Sequence, residues 1–403
     1  MDKLAVNSHD ASETPLGSGE GDLAGRRSGS ANLAGRTGLL PRQDIRALVH
    51  RKVLRARQDF DEAQFQPASL DLRLGARAYR VRASFLPGPS RTVEEKLAEL
   101  KYDVIDLGDG AVLEKGCVYV VELVEHLDLP DSIAALANPK SSTGRLDVFT
   151  RLISDRSEVF DSVTGGYKGR LYTEISPRSF SIKVRKGSRL NQIRFRRRNS
   201  QQHELTEFRL NDRELRELHA RTPLVDGELQ VRNGVMLHIE LGGIGEERLV
   251  GYRAQRHTDL VDVDRVGAHR FADFWEAVRA RDDRRLILDP NEFYILASKQ
   301  RLHIPAHLAA EMAPIDPLMG EFRVHYAGFF DPGFGQTAQG PGSRAVLEVR
   351  SHEVPFILDD GQMVCRLAYE KMAAEPDGLY GEIGTSNYQG QELKLSKHFR
   401  LDA

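Results

Sequence analysis

Landmarks in this chain recur about 174 positions apart, in order. Leu127-Asp128-Leu129-Pro130 returns as Leu302-His303-Ile304-Pro305, and Phe160-Asp161 as Phe330-Asp331. Leu171-Tyr172-Thr173-Glu174-Ile175 returns as Ala345-Val346-Leu347-Glu348-Val349, and Lys186-Gly187 as Asp360-Gly361. An ordered series at one spacing marks an internal duplication, so the chain must fold as two related units of about 165 residues. Short runs that alternate polar and apolar residues and end on Gly or Pro give each unit a β-rich texture. Ser69 to Leu74, Val118 to Val121, Leu171 to Ile175 and Ser181 to Val184 all read as strands.

The division that follows is a Gly/Ser/Ala-rich tail over 1–38, a first domain over 39–205, a charged linker or surface helix over 206–235, and a second domain over 236–403. The tail has almost no large apolar side chains to offset chain entropy and is expected to be disordered. Asp44 to Val49 has the character of a short amphipathic helix, and Phe271 to Val278 of another. With 57 Lys+Arg against 59 Asp+Glu, no global field favours nucleic acid. The basic run Arg194 to Arg198 reads as a solvated strand end. No apolar run suits a membrane-spanning helix, the start Met1-Asp2-Lys3 has no leader pattern, and Cys117 and Cys365 are too few for a disulfide framework. A reducing cytoplasm is the expected setting.

The densest chemistry is Pro139-Lys140-Ser141-Ser142-Thr143-Gly144-Arg145-Leu146. Two cations, two hydroxyls and a glycine at a turn or helix start suit phosphate oxygens, although the same residues could also be a capped turn with solvated charges. At the matching place the second copy has Ile315, Asp316, Pro317 and Gly320, which have lost the cations and the hydroxyl pair. Phosphate chemistry therefore belongs to the first copy.

Taken together, these segments resemble the dCTP deaminases of the trimeric dUTPase-like superfamily. Gln66 to Leu74 is similar to the family's first motif, and Lys140 to Arg145 to its phosphate-binding motif. Phe160-Asp161 through Glu174 resembles the base-recognition hairpin with its glutamate, and Lys186-Gly187 with Asn191 to Phe195 the strand that follows. The match covers about 39–200, with a weaker copy over about 236–403 that alone carries a lid-like tail, Tyr388-Gln389-Gly390-Gln391. The first copy departs from the usual Asp-Pro-Gly segment, reading Asp161 to Gly169.

The resemblance implies a mainly β protein of two tandem dUTPase-like, distorted jelly-roll β-barrels with a few short helices. It implies hydrolytic deamination of dCTP to dUTP and ammonia, supplying dUTP for dUMP and dTTP synthesis. Zinc deaminases carry H-x-E with P-C-x-x-C. His238-Ile239-Glu240 gives the first, but the second is absent, so a glutamate base without zinc is expected, with Mg²⁺ arriving on the triphosphate. Glu174, Ser141 and Arg145 are the expected catalytic residues, with Glu348 as alternative base. Lys140, Ser142, Asp161, Tyr167, Asp331, Tyr388 and Gln391 are expected to hold substrate. A homotrimer of six domains is implied, with dTTP as a candidate inhibitor. Two arrangements of its sites are open: like halves meeting like halves, preferred because three identical copies close a ring, or Ser141 and Arg145 meeting Glu348 and the 388–391 tail. The alternatives are a dUTP pyrophosphatase, a bifunctional enzyme releasing dUMP, with Asp161 as its water-activating residue, and a non-catalytic nucleotide sensor.

Overall fold

A computed structural model describes residues 36–198, 208–314, 322–325, 328–351, 353–384 and 386–400. Nearly all of the expected tail and the Ile315 to Gly320 segment, Asp316 included, lie outside the described residues. The described part is mainly β, with short α-helices at Arg42–His50, Val93–Leu100, Ser141–Gly144 and Asp212–Arg221.

The duplication is visible strand by strand. In the first half, Val118–Asp128 pairs with Lys168–Pro177, which pairs with Val148–Ser154, and Glu174 stands between Val120 and Arg151. In the second half, Tyr294–Leu302 pairs with Ser343–Ser351, which pairs with Phe322–His325, and Glu348 stands between Ile295 and His325. A second sheet repeats as well. Ile133–Pro139 lies between Asn191–Arg197 and Ser162–Val163, as Leu308–Pro314 lies between Met363–Lys371 and Phe329–Phe330.

The halves are not separate bodies, because residues from 36 onward form one compact unit. Ile182–Val184 of the first half runs parallel to Val261–Asp262 of the second. Phe180 packs edge-on against Phe274, Trp275 and Phe399, a ring cluster drawn from both halves. The helix Asp212–Arg221, in the segment expected to link the domains, belongs to the second half. Asn211 and Glu214 close its first turn with a reciprocal capping box, and Leu215 and Leu218 enter the second core.

Two expectations are overturned. The helix expected over Phe271 to Val278 is a single 3₁₀ turn, Phe271–Asp273, followed by the strand Trp275–Arg279. Phe271, Phe274, Trp275 and Val278 fall at helical spacing, but Trp275 instead pairs with Ala254 and buries its ring in the cluster. Nor is the basic run a solvated strand end. Arg194 and Arg196 are 0% and 1% exposed. Arg194 binds Glu311 at 2.6 Å, and Arg196 forks onto Glu370, both carboxylates of the second half.

Candidate active site

Three first-half strands and a single helical turn carry one wall of a cavity. Ser141–Gly144 follows directly on the strand Ile133–Pro139, which aims Lys140 and the turn outward. Lys140 is ion-paired to Asp71, a buried carboxylate on Leu70–Leu72, a strand that pairs with Asn191–Arg197. The second half supplies the opposite wall, through Phe330-Asp331, Phe334, Val346 and the tail residues Tyr380, Asn387, Tyr388 and Gln391. The free space between them, counted out to open solvent, is about 740 Å³. Gly335 shapes this wall, with φ at 71°, and a Cβ there would meet the carbonyl oxygen of Leu302 at 1.9 Å.

Arg145 is the meeting point. It is 4% exposed, and its Nη1 donates to Gln391 Oε1 at 3.0 Å and to the Lys394 carbonyl at 2.8 Å. Its guanidinium lies 3.8 Å from the centre of the Tyr388 ring. Its Nε stands 3.9 Å from Glu348 Oε1, which is attraction without a hydrogen bond. Glu348 is 4% exposed, and burial pushes its carboxyl up to about 8 against the pull of Arg145. In the same half Asp331 is pushed up to about 7, again by burial, although the Ala68 N–H donates to it at 3.0 Å. That bond crosses from one half to the other.

The first-half counterparts are arranged differently. Glu174 takes two bonds on one oxygen from Arg151, at 3.1 Å from Nε and 2.6 Å from Nη2. Arg151 itself lies 3.7 Å from the centre of the Phe160 ring, whereas the ring that meets Arg145 is Tyr388 of the second-half tail. An arginine of the same half thus sits on Glu174. Asp161 accepts the Leu152 N–H at 2.7 Å, and burial pushes its carboxyl up to about 7. Tyr167 donates to the Arg170 carbonyl at 2.5 Å and does not line the cavity.

Within one chain the structure therefore gathers Lys140, Ser141, Ser142, Arg145, Asp331, Glu348, Tyr388 and Gln391, and leaves Glu174, Asp161 and Tyr167 elsewhere. Within one chain it is unlike halves that meet across the cavity. Asp71, Tyr380 and Lys394 were not among the expected site residues. The acidic residue within the Gln66 to Leu74 motif was a usable signal for Asp71, while the other two are ordinary tail residues with none. His238 of the H-x-E pair is hydrogen-bonded to Gln300 at 2.7 Å, and Glu240 lies 3.5 Å from Arg344.

Asp161 offers a direct pH test. Its folded value is raised above the unfolded one, so its contribution favours the folded state at low pH and is lost as pH rises from about 4 to about 7. Asp161→Asn keeps an oxygen for the Leu152 N–H and removes the titration. Thermal unfolding of this variant is expected to match wild type near pH 4 and to exceed it at pH 8.

A β fold duplicated in this way, with a cationic hydroxyl turn from one half facing a buried carboxylate from the other, defines a two-halved, dUTPase-like nucleotide-binding class. Two family profiles, described as the N-terminal and C-terminal domains of 2'-deoxycytidine 5'-triphosphate deaminase, match residues 36–199 and 211–399. The crystal structure of 2'-deoxycytidine 5'-triphosphate deaminase from Agrobacterium tumefaciens is 55% identical, with a TM-score of 0.80, over 84% of this chain and 100% of that one. The chain belongs to the dCTP deaminase family. It is also similar to the "dCTP deaminase, dUMP-forming" of Corynebacterium jeikeium, 34% identical over 119 residues, which are 28% of this chain and 59% of that protein. The protein of the same description from Halobacterium salinarum is 29% identical over 125 residues, 30% of this chain and 60% of that one. The chain thus spans about three fifths of the length of these curated relatives. Among the described residues, no helix is long and apolar enough to cross a membrane.

Proposed function

We propose that the chain deaminates dCTP, taken as its Mg²⁺ complex, and that each chain carries one working site built from unlike halves. The observation that supports this most is the contrast between the two equivalent glutamates. Glu174 is tied to Arg151 at hydrogen-bond distance, whereas Glu348, two residues along its strand from the cavity-lining Val346, faces Arg145 across a gap. In this reading Lys140 and Ser142 hold the triphosphate, and Asp331 and the tail close around sugar and base.

With its carboxyl near 8, Glu348 enters the reaction protonated at neutral pH. It donates that proton to N3 of cytosine, which makes C4 electrophilic, and the resulting carboxylate takes a proton from the attacking water. Ser141 orients the water, and Arg145 stabilises the oxygen as charge builds on it. The regained proton goes to the amino group as the hydroxyl proton returns to Glu348. Ammonia then leaves, and dCTP and water have become dUTP and ammonia. No metal takes part in these steps.

Incubation of the purified protein with Mg²⁺·dCTP is expected to release ammonia and dUTP in equal amounts, and titration to saturate at one nucleotide per chain. Binding without turnover would favour a sensor, and two nucleotides per chain would restore a site at Glu174. A second reading follows from the relatives described as dUMP-forming: pyrophosphate and dUMP would appear with the ammonia. Localisation in the cytoplasm, a trimeric assembly and inhibition by dTTP remain part of the proposal.

A further inference from the structure

Behind the phosphate turn lies a buried polar relay from the far end of the chain. Ser396, 1% exposed, donates its hydroxyl to the Ser142 carbonyl at 2.7 Å. Its Oγ is 2.9 Å from Nδ1 of His398, which is 2% exposed, and Nε2 of that ring is 2.8 Å from the Val263 carbonyl. Ser396 also interacts with the phenol of Tyr388, the ring stacked on Arg145. We propose that Ser396, oriented by His398, is a positioning residue that sets the register of the phosphate turn and thereby the affinity for the triphosphate.

Ser141–Gly144 is one turn long, so the Ser142 carbonyl has no helical partner of its own and depends on an outside donor. Ser396 has one hydrogen to give. A neutral imidazole also has one. The Val263 carbonyl can only accept, so the ring hydrogen sits on Nε2 and is donated there, which leaves Nδ1 an acceptor. Nδ1 and the Ser142 carbonyl then compete for the one serine hydrogen. Burial keeps the ring neutral, with Lys397 and His269 disfavouring its charge and Asp262 favouring it. The relay therefore has two arrangements, only one of which holds the turn.

This inference rests on the proposal that the turn binds phosphate, and the two can fail separately. Inorganic tripolyphosphate is the probe, measured by calorimetry on the full chain together with dCTP kinetics. Ser396→Ala is expected to weaken tripolyphosphate about tenfold and to raise KM for dCTP by a similar factor while kcat changes little, the size of one lost buried hydrogen bond. Ser396→Thr, which keeps the hydroxyl, is expected to stay within about twofold of wild type. If wild type does not bind tripolyphosphate, the reading of the turn fails. If wild type binds it and Ser396→Ala binds it equally well, the turn stands and the positioning role is overturned. A stability loss in Ser396→Ala with unchanged affinity would overturn it too.

Discussion

Replacing Glu348 by glutamine is expected to lower deamination by a hundredfold to ten-thousandfold, the range seen when a general acid–base is removed, while Glu174→Gln stays within about threefold per folded molecule. Glutamine matches glutamate in shape but cannot cycle a proton, so the Glu348 variant keeps the cavity and loses the relay to N3. The pH profile carries the same information. In the free enzyme the carboxyl is protonated below about 8, so wild-type kcat/KM is expected to fall about tenfold per pH unit above that value, from loss of the starting proton. The variant's stability should move opposite to its activity. A folded pKa raised above the unfolded one means the contribution present at low pH is lost as pH climbs through the folded value. Glu348→Gln removes that loss and is expected to gain a few kcal/mol at pH 8 and above, the pattern of a site held in a costly state for function. Full activity in Glu348→Gln together with loss in Glu174→Gln would reverse the assignment.

The sequence carried much of this, and its silences have physical causes. The duplication was legible because strand, turn and glutamate recur at one offset, and the structure aligns Glu174 and Glu348 at the same place in equivalent sheets. Which glutamate faces the phosphate turn was not legible. Arg151 looked like any strand cation, and only antiparallel pairing puts it opposite Glu174. The symmetry of a ring argued for like halves meeting between chains; within one chain, the first half's turn and the second half's strand line one cavity. Helical spacing at Phe271 to Val278 misled for a related reason: the rings were spaced for a shared core between halves, and no local pattern announces such a core. Arg194 and Arg196 looked solvated because Glu311 and Glu370 lie more than a hundred residues away.

Those buried arginines give the second large effect. Glu370 is 1% exposed and takes Arg196, itself 1% exposed, together with the partly exposed Arg209. Removing one partner of a buried pair strands the other charge away from water, and Glu370→Ala is expected to cost about 3–5 kcal/mol. In a unit of this size that corresponds to a fall in Tm of roughly 4–7 °C. Replacing both Arg196 and Glu370 by methionine removes the charges together and is expected to recover most of the loss, since Arg209 can turn to solvent. The same seam holds Ala68 against Asp331 and Arg145 against Glu348. Loosening it should therefore raise KM for dCTP at temperatures where Glu370→Ala is still folded, because the two walls of the cavity belong to different halves. An unchanged Tm in Glu370→Ala would mean that the ring cluster and the shared strands join the halves without help from these ions, and an unchanged KM would mean that the cavity does not sense how tightly the seam is drawn.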